Sequence, residues 1–288
     1  MRTRFLNKMT NAEVEKYLQH NDIIFIPLGV IETHGEFPLD VELIAPTAFA
    51  IEMAEKVDGL ILGDLPYFYC GANCDARGSV KMSIAAGSAY MKEICYSLLN
   101  QGFRRQIFVT FHAPALLTAQ TVVLDFFHET KCPIAHLDML NGLRVAAERG
   151  VEIQMSQVND LFFGAYEIVG NKDELVIDPN AEVSAERPTD LTRESDNVAF
   201  FSYLRKLGNV GFYFSCPEDH GGKLGALRSI EERDKVCSRG AEMIRKIVNA
   251  LNMVDYVEQM KQLDVWTNTF IKEKYGAHIP KNKFSEWK

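Results

Sequence analysis

The 288-residue chain lacks the features that mark membrane, secreted and nucleic-acid-binding proteins. It has no apolar run of about 20 residues, the length that a membrane-spanning helix needs. Its first residues also lack the apolar core of a secretory signal. The net charge is -8, from 31 basic and 39 acidic residues, and no basic run offsets it. We therefore expect a cytoplasmic protein that binds neither membranes nor nucleic acids.

Cysteine and nucleotide-binding motifs are equally sparse. The six cysteines are scattered, only Cys70 and Cys74 lie close together, and no second pair completes a zinc knuckle. We expect reduced thiols that mostly fill the core. The sequence has no Gly-x-Gly-x-x-Gly after its first predicted strand and no P-loop lysine motif, which disfavours a nucleotide-binding protein.

Short apolar runs alternate along the chain with segments that have helical spacing. Runs with turn residues at their ends predict strands at 23–28, 60–65, 106–111, 134–137 and 210–215. Helical spacing and capping residues predict helices at 10–19, 45–57, 88–100, 116–129, 194–206 and 229–251. This alternation is typical of an α/β protein with a mostly parallel sheet that helices cover on both faces.

We predict a single domain over residues 1–264 and a C-terminal extension over 265–288. Residues 141–190 contain many turn-forming residues, among them Gly164 and Gly170. We interpret that segment as an irregular excursion over one edge of the sheet, or a lid.

The strongest functional signal follows the first predicted strand, in the segment IPLGVIETHGEFPLDVELIA at 26–45. An apolar strand runs there into a segment that contains Glu32, His34, Asp40 and Glu42. Burying such groups without partners costs several kcal/mol. A bound cation would satisfy carboxylates and an imidazole together, whereas a solvated acidic loop is the alternative.

A histidine at a second strand end strengthens the metal hypothesis. Glu32 and His34 are two residues apart, so in an extended segment they project to the same face. His112 directly follows the strand predicted at 106–111. In a parallel sheet both segments lie at the carboxyl edge, where open α/β sheets bind their ligands. The alternative for His112 is a strand-end histidine that bonds to backbone.

These motifs resemble those of the creatininase (creatinine amidohydrolase) family. Residues 27–35 follow the family's Pro-x-Gly-x-x-Glu-x-His-Gly pattern, and a Pro-Leu step and acidic residues come after it. Residues 102–112 resemble the second motif, and Arg-Gly-Ser-Val at 77–80 resembles the substrate loop. The resemblance covers 23–137 well and 210–251 loosely.

The resemblance implies a three-layer α/β/α fold and a site for one or two divalent ions, zinc or manganese. Carried over by position, Glu32, His34 and His112 would be metal ligands. Glu42 would replace the family's bridging aspartate, and Asp40 is the second candidate for that place. A water or hydroxide between two metal ions would be the nucleophile. Family members are usually homo-oligomers, often hexamers.

The chain departs from the family in two places. The second motif has Pro114 where relatives place a glutamate ligand, and the third motif, at 190–195, has no histidine. Glu194 is the candidate for the last carboxylate. His220, after a predicted strand, is a candidate general acid, although a solvated turn histidine is the alternative. Arg77 is a candidate for orienting a carbonyl or hydroxyl of the substrate.

The resulting hypothesis is a metal-dependent hydrolase that opens a small polar cyclic metabolite by attack of activated water on a carbonyl. The missing histidine disfavours creatinine itself. A ring ketone derived from a cyclitol or sugar, and a cyclic amide, both remain open. The alternative is a catalytically inactive family member that acts as a binding or structural subunit.

Overall fold

The structure, a computed structural model, is built around a four-stranded parallel sheet. The residues that it describes are 1–63, 65–153, 158–181, 204, 207–208, 210–213 and 220–276. The strands are β1 (Ile23–Pro27), β2 (Leu60–Ile61), β3 (Arg105–Thr110) and β4 (Ala135–Asp138). They lie in the order β2-β1-β3-β4, and every neighbouring pair is parallel. All four carboxyl ends therefore meet at one edge of the sheet.

Helices cover both faces of this sheet. They are α1 (Asn11–Leu18), α2 (Val41–Val57), α3 (Ile84–Gln101), α4 (Ala115–Thr130), α5 (Met139–Glu148), α6 (Val158–Val169), α7 (Ile230–Leu251), α8 (Met253–Trp266) and α9 (Lys272–Tyr275). In β1, Phe25 packs into a core shared with α2, α6 and α7, whereas Ile24 and Ile26 pack into a core shared with α3 and α4. The predicted three-layer α/β/α fold is confirmed.

Local capping explains why two helix starts were predictable. The Thr10 side chain accepts a hydrogen bond from the Glu13 N–H, and the Glu13 carboxylate accepts one from the Thr10 N–H at 2.8 Å. At α7 the Ser229 hydroxyl accepts from the Glu232 N–H at 3.1 Å. Such caps satisfy backbone donors that a helix start otherwise leaves free.

The second helix differs from its prediction in a way that matters for the site. It begins at Val41 rather than at residue 45, so Glu42 lies in its first turn. That turn is buried, and Pro46 lies inside the helix. The predicted start rested on the apolar residues that recur at helical spacing from residue 45 onward.

The interpretation of residues 141–190 as an irregular excursion was wrong for two described stretches, because α5 and α6 lie there. Helix α6 belongs to the core, where Leu161 and Tyr166 are fully buried. Residues 154–157 and 182–190 lie outside the described residues, as do the helix predicted at 194–206, except for residue 204, and part of the strand predicted at 210–215. Residues 210–213 are described and form no strand.

The C-terminal helices continue past the predicted boundary at 264/265, which falls inside α8. Arg104, just before β3, binds Asp264 of α8 through two hydrogen bonds of 2.7 and 2.8 Å.

No helix in the described ranges combines the length and apolar character needed to span a bilayer.

Candidate metal centre

Four ionisable side chains are buried together at the carboxyl edge of the sheet. Glu32 and His34 follow β1, Glu42 comes from the first turn of α2, and His112 follows β3. Each is at most 7% exposed. The parallel sheet brings these groups together, because it places the ends of β1 and β3 side by side.

A close backbone approach fixes the position of α2 against the segment after β1. A Cβ atom on Gly29 would lie 2.5 Å from the Leu43 Cα and 2.8 Å from the Glu42 carbonyl oxygen. Only glycine fits at that distance. The glycine of the sequence motif therefore sets the spacing between the Glu32 segment and the helix that carries Glu42.

The four side chains form two acid–imidazole pairs. His112 Nε2 lies 3.2 Å from Glu32 Oε1. His34 Nδ1 lies 3.1 Å from Glu42 Oε1, although the two atoms are not aligned as a hydrogen bond. The predicted Glu32, His34 and His112 therefore lie together, with an acidic residue beside them.

These pairs leave several buried polar atoms without a hydrogen-bond partner. The unpaired atoms are Glu32 Oε2, both ring nitrogens of His34, Glu42 Oε2 and His112 Nδ1. An unsatisfied buried polar atom costs about 1–3 kcal/mol. Carboxylate oxygens and imidazole nitrogens are ligands for zinc and manganese, so a divalent cation is a group that fits this set.

The buried charges of the site shift the pKa values of Glu42 and His112. Burial raises the pKa of the Glu42 carboxyl, but the charges of His112 and His34 outweigh burial and leave that pKa below its ordinary value. For His112, burial lowers the pKa, but Glu42 and Glu32 outweigh it and raise the pKa. The carboxylates and the imidazole of the cluster thus favour each other's charged forms.

The structure separates the two acidic candidates of the sequence. Asp40 stands at the N-terminus of α2 and accepts a hydrogen bond of 2.7 Å from the Tyr166 hydroxyl. Glu42, in contrast, contacts His34. Glu42 is therefore the acidic residue that lies within the cluster.

His220 also reaches this edge of the sheet. Its ring lies edge-on to that of His34, with 5.3 Å between the ring centroids. One ligand atom from each of Glu32, His34 and His220 lies within 4.8 Å of the other two. The sequence proposed this histidine as a general acid, and the structure places it beside the metal-ligand candidates.

Two candidates from the sequence are left to place. Arg77 is exposed, and Glu194 lies outside the described residues.

Aromatic rings that the sequence analysis did not consider border the cluster. Phe162 of α6 lies 4.9 Å from the His34 ring, centroid to centroid, and contacts Phe37 and Phe111. Phe37 belongs to the same motif as His34, which is the signal that could have found it.

Comparisons with known proteins agree with this fold and these motifs. A model of the creatininase family, described as creatinine amidohydrolase, matches residues 7–160, more than half of the chain. A creatinine amidohydrolase of Pseudomonas putida is 25% identical over 115 residues, which are 38% of this chain and 44% of that protein. The match thus spans less than half the length of this curated relative.

Two solved structures share the fold over nearly the whole chain. A creatinine amidohydrolase (creatininase) structure covers 90% of this chain and 98% of its own, with 17% identity and a TM-score of 0.57. A Bacteroides fragilis NCTC 9343 protein, provisionally assigned as a creatinine amidohydrolase, covers 92% and 98%, with 16% identity and a TM-score of 0.59. At these identities the likeness concerns the fold alone.

Proposed function

The chain belongs to the creatininase family, and we propose on this basis that it is a metal-dependent hydrolase. Its substrate would be a small polar cyclic molecule that the enzyme opens by attack of water on a carbonyl. The observation that carries the proposal is the buried cluster of Glu32, His34, Glu42 and His112, whose unpaired atoms match the ligands of a divalent cation.

In this proposal the four side chains of the cluster are the ligands of the cation. Glu32, His34, Glu42 and His112 would bind zinc or manganese, one or two ions per chain, with Glu194 as a further candidate ligand. The bound cation would activate water and polarise the substrate carbonyl. The close approaches of Glu32 to His112 and of His34 to Glu42 would set these ligand atoms beside one another for a cation.

Residues around the cluster would shape the substrate site. Phe162 and Phe37 close one side of His34 with apolar surface and keep bulk water away from it. Arg77 is exposed and is our candidate for orienting a carbonyl or hydroxyl of the substrate.

Two substrate classes remain in this proposal. The names of the relatives favour a cyclic amide, in which a C–N bond breaks. Pro114 in place of a glutamate and the missing third-motif histidine favour a ring ketone derived from a cyclitol or sugar, in which a C–C bond breaks.

The experiment is a substrate screen with protein loaded with zinc or manganese and with chelator-treated protein. Mass spectrometry follows the gain of one water by each candidate ring. Metal-dependent opening of either class supports the proposal and identifies the bond. Metal-loaded protein that opens no member of either class favours the alternative, a catalytically inactive subunit, for which Pro114 is the supporting observation.

We further propose a cytoplasmic location, and the family resemblance leads us to propose a homo-oligomer. A hexamer is the state to test first, by light scattering on the purified protein.

Variants of the two acidic candidates are expected to differ in their zinc affinity. Glu42→Gln should lower zinc affinity at least about 10-fold, because it removes a charged oxygen next to His34. Asp40→Asn keeps an oxygen that can accept from the Tyr166 hydroxyl and should leave zinc affinity unchanged. Titration calorimetry checks both variants, and a larger loss in Asp40→Asn than in Glu42→Gln would reverse the assignment.

A further inference from the structure

One metal ligand that the motif resemblance leads us to expect is missing from its position in this chain. By the motif resemblance a glutamate would stand at position 114, but this chain has Pro114, the residue that precedes α4. Its ring has no metal-binding atom. A ligand atom in place of that glutamate would have to come from another part of the chain.

His220 lies well beyond the segment that matches the family model, yet it reaches the cluster. Its ring is perpendicular to that of His34, at an interplanar angle of 86°. A Glu–His–His set within 4.8 Å, in which Glu32 and His34 keep unpaired ring or carboxylate atoms, has the composition of a zinc site.

The backbone around His220 is built to hold it there. The Gly35 N–H donates to the His220 carbonyl oxygen at 2.5 Å, and the Glu36 N–H donates to the Leu224 carbonyl oxygen at 2.7 Å. Two hydrogen bonds thus clasp the segment that contains His220 to the segment directly after His34.

Glycines make this clasp possible. Gly221 has φ +87°, and a Cβ there would lie 2.9 Å from the Gly35 nitrogen. Gly35 has φ +64°, and a Cβ there would lie 2.5 Å from the Leu224 carbonyl oxygen. Larger residues would push the two segments apart, so both glycines keep His220 beside His34.

We propose that His220 is a metal ligand of this chain and, with Glu32 and His34, completes one cation site. The inference rests on the proposed metal-dependent function and names a ligand from outside the matched segment. A general acid must face the substrate, whereas His220 faces two other ligand candidates. The ligand role therefore replaces the proton-donor role that the sequence suggested.

The test measures zinc binding by calorimetry and metal per chain by elemental analysis, using full-length protein. His220→Ala should bind zinc at least about 10–100-fold more weakly than the wild type, because one ligand is lost. His128→Ala removes an exposed histidine of α4 and should bind zinc as the wild type does. Circular dichroism compares the folds of all variants.

A ligand swap keeps the test informative if the alanine variant is unstable. His220→Cys retains a zinc-binding atom, and thiolate suits zinc better than manganese. It should recover zinc binding relative to His220→Ala and should not recover manganese binding. A purely structural role for His220 would give no such dependence on the metal.

The outcomes separate this inference from the proposed function. Wild-type protein that binds zinc, with His220→Ala binding equally well, overturns the ligand role and leaves the hydrolase proposal in place. Unchanged zinc binding with a lower kcat would instead make His220 a proton donor. Wild-type protein that binds no zinc or manganese overturns both.

Discussion

His34→Ala is expected to remove cation binding at the site and most of the hydrolytic activity. His34 is 3% exposed, and its two ring nitrogens have no hydrogen-bond partner. It contacts Glu42 and lies next to His220, so its loss breaks the centre of the ligand cluster. We expect zinc affinity to fall at least about 100-fold. Calorimetry and elemental analysis measure the change.

A matched control distinguishes the loss of a ligand from the loss of a histidine in general. His128 lies on the exposed face of α4, so the His128→Ala variant should keep both its metal content and its turnover. Thermal unfolding in the presence of chelator shows whether His34→Ala still folds. An His34→Ala protein with full metal content and full turnover would contradict the site assignment.

Gly240→Ala is expected to destabilise the fold strongly. Gly240 of α7 faces α6, and a Cβ on it would overlap the Asp160 carbonyl oxygen and lie 2.7 Å from the Gly164 nitrogen. Backbone atoms cannot move aside as a flexible side chain can. Overpacking typically costs 1–3 kcal/mol, and we expect about 3 kcal/mol or more here. Urea unfolding followed by circular dichroism measures the difference.

The control for this change is Gly276, which directly follows α9 in a right-handed helical backbone conformation and has room for a methyl group. A Cβ on Gly276 would lie no closer than 3.7 Å to Lys272 Cγ. Gly276→Ala should therefore leave the free energy of unfolding unchanged or raise it, since alanine favours helix. If Gly240→Ala unfolded at the same urea concentration as the wild type, the close packing of α6 on α7 would be wrong.

This contact also explains why the sequence did not reveal α6. Gly164 looks like a turn residue, and with Gly170 it predicted an irregular segment. In the structure Gly164 lies in mid-helix, where it allows α6 to touch α7 at Gly240. Local sequence does not show that the partner is a glycine 76 positions later. The spacing of Leu161 and Ala165, both buried, was the available helical signal.

Elements with local signals were predictable. The Thr10–Glu13 capping box and the Ser229 cap depend on residues three apart, and both helix starts were predicted correctly. At α2, Asp40 stands at the N-cap position but makes no side-chain capping bond, and the helix begins earlier than predicted. Its early start decides that Glu42 rather than Asp40 points to His34.

The site was predictable where residues follow strands. Glu32, His34 and His112 come after β1 and β3, and parallel pairing alone brings them to one edge. His220 could not be placed in this way, because its position depends on hydrogen bonds to Gly35 and Glu36 across the fold. Long-range backbone pairing leaves no pattern in a single sequence.

The decisive measurement is elemental analysis of wild-type protein purified without chelator and then incubated with zinc or manganese. A cation held by Glu32, His34, Glu42 and His112 predicts one or two ions per chain that survive dialysis. A protein that keeps no zinc or manganese after dialysis would contradict both the metal centre and the hydrolase proposal.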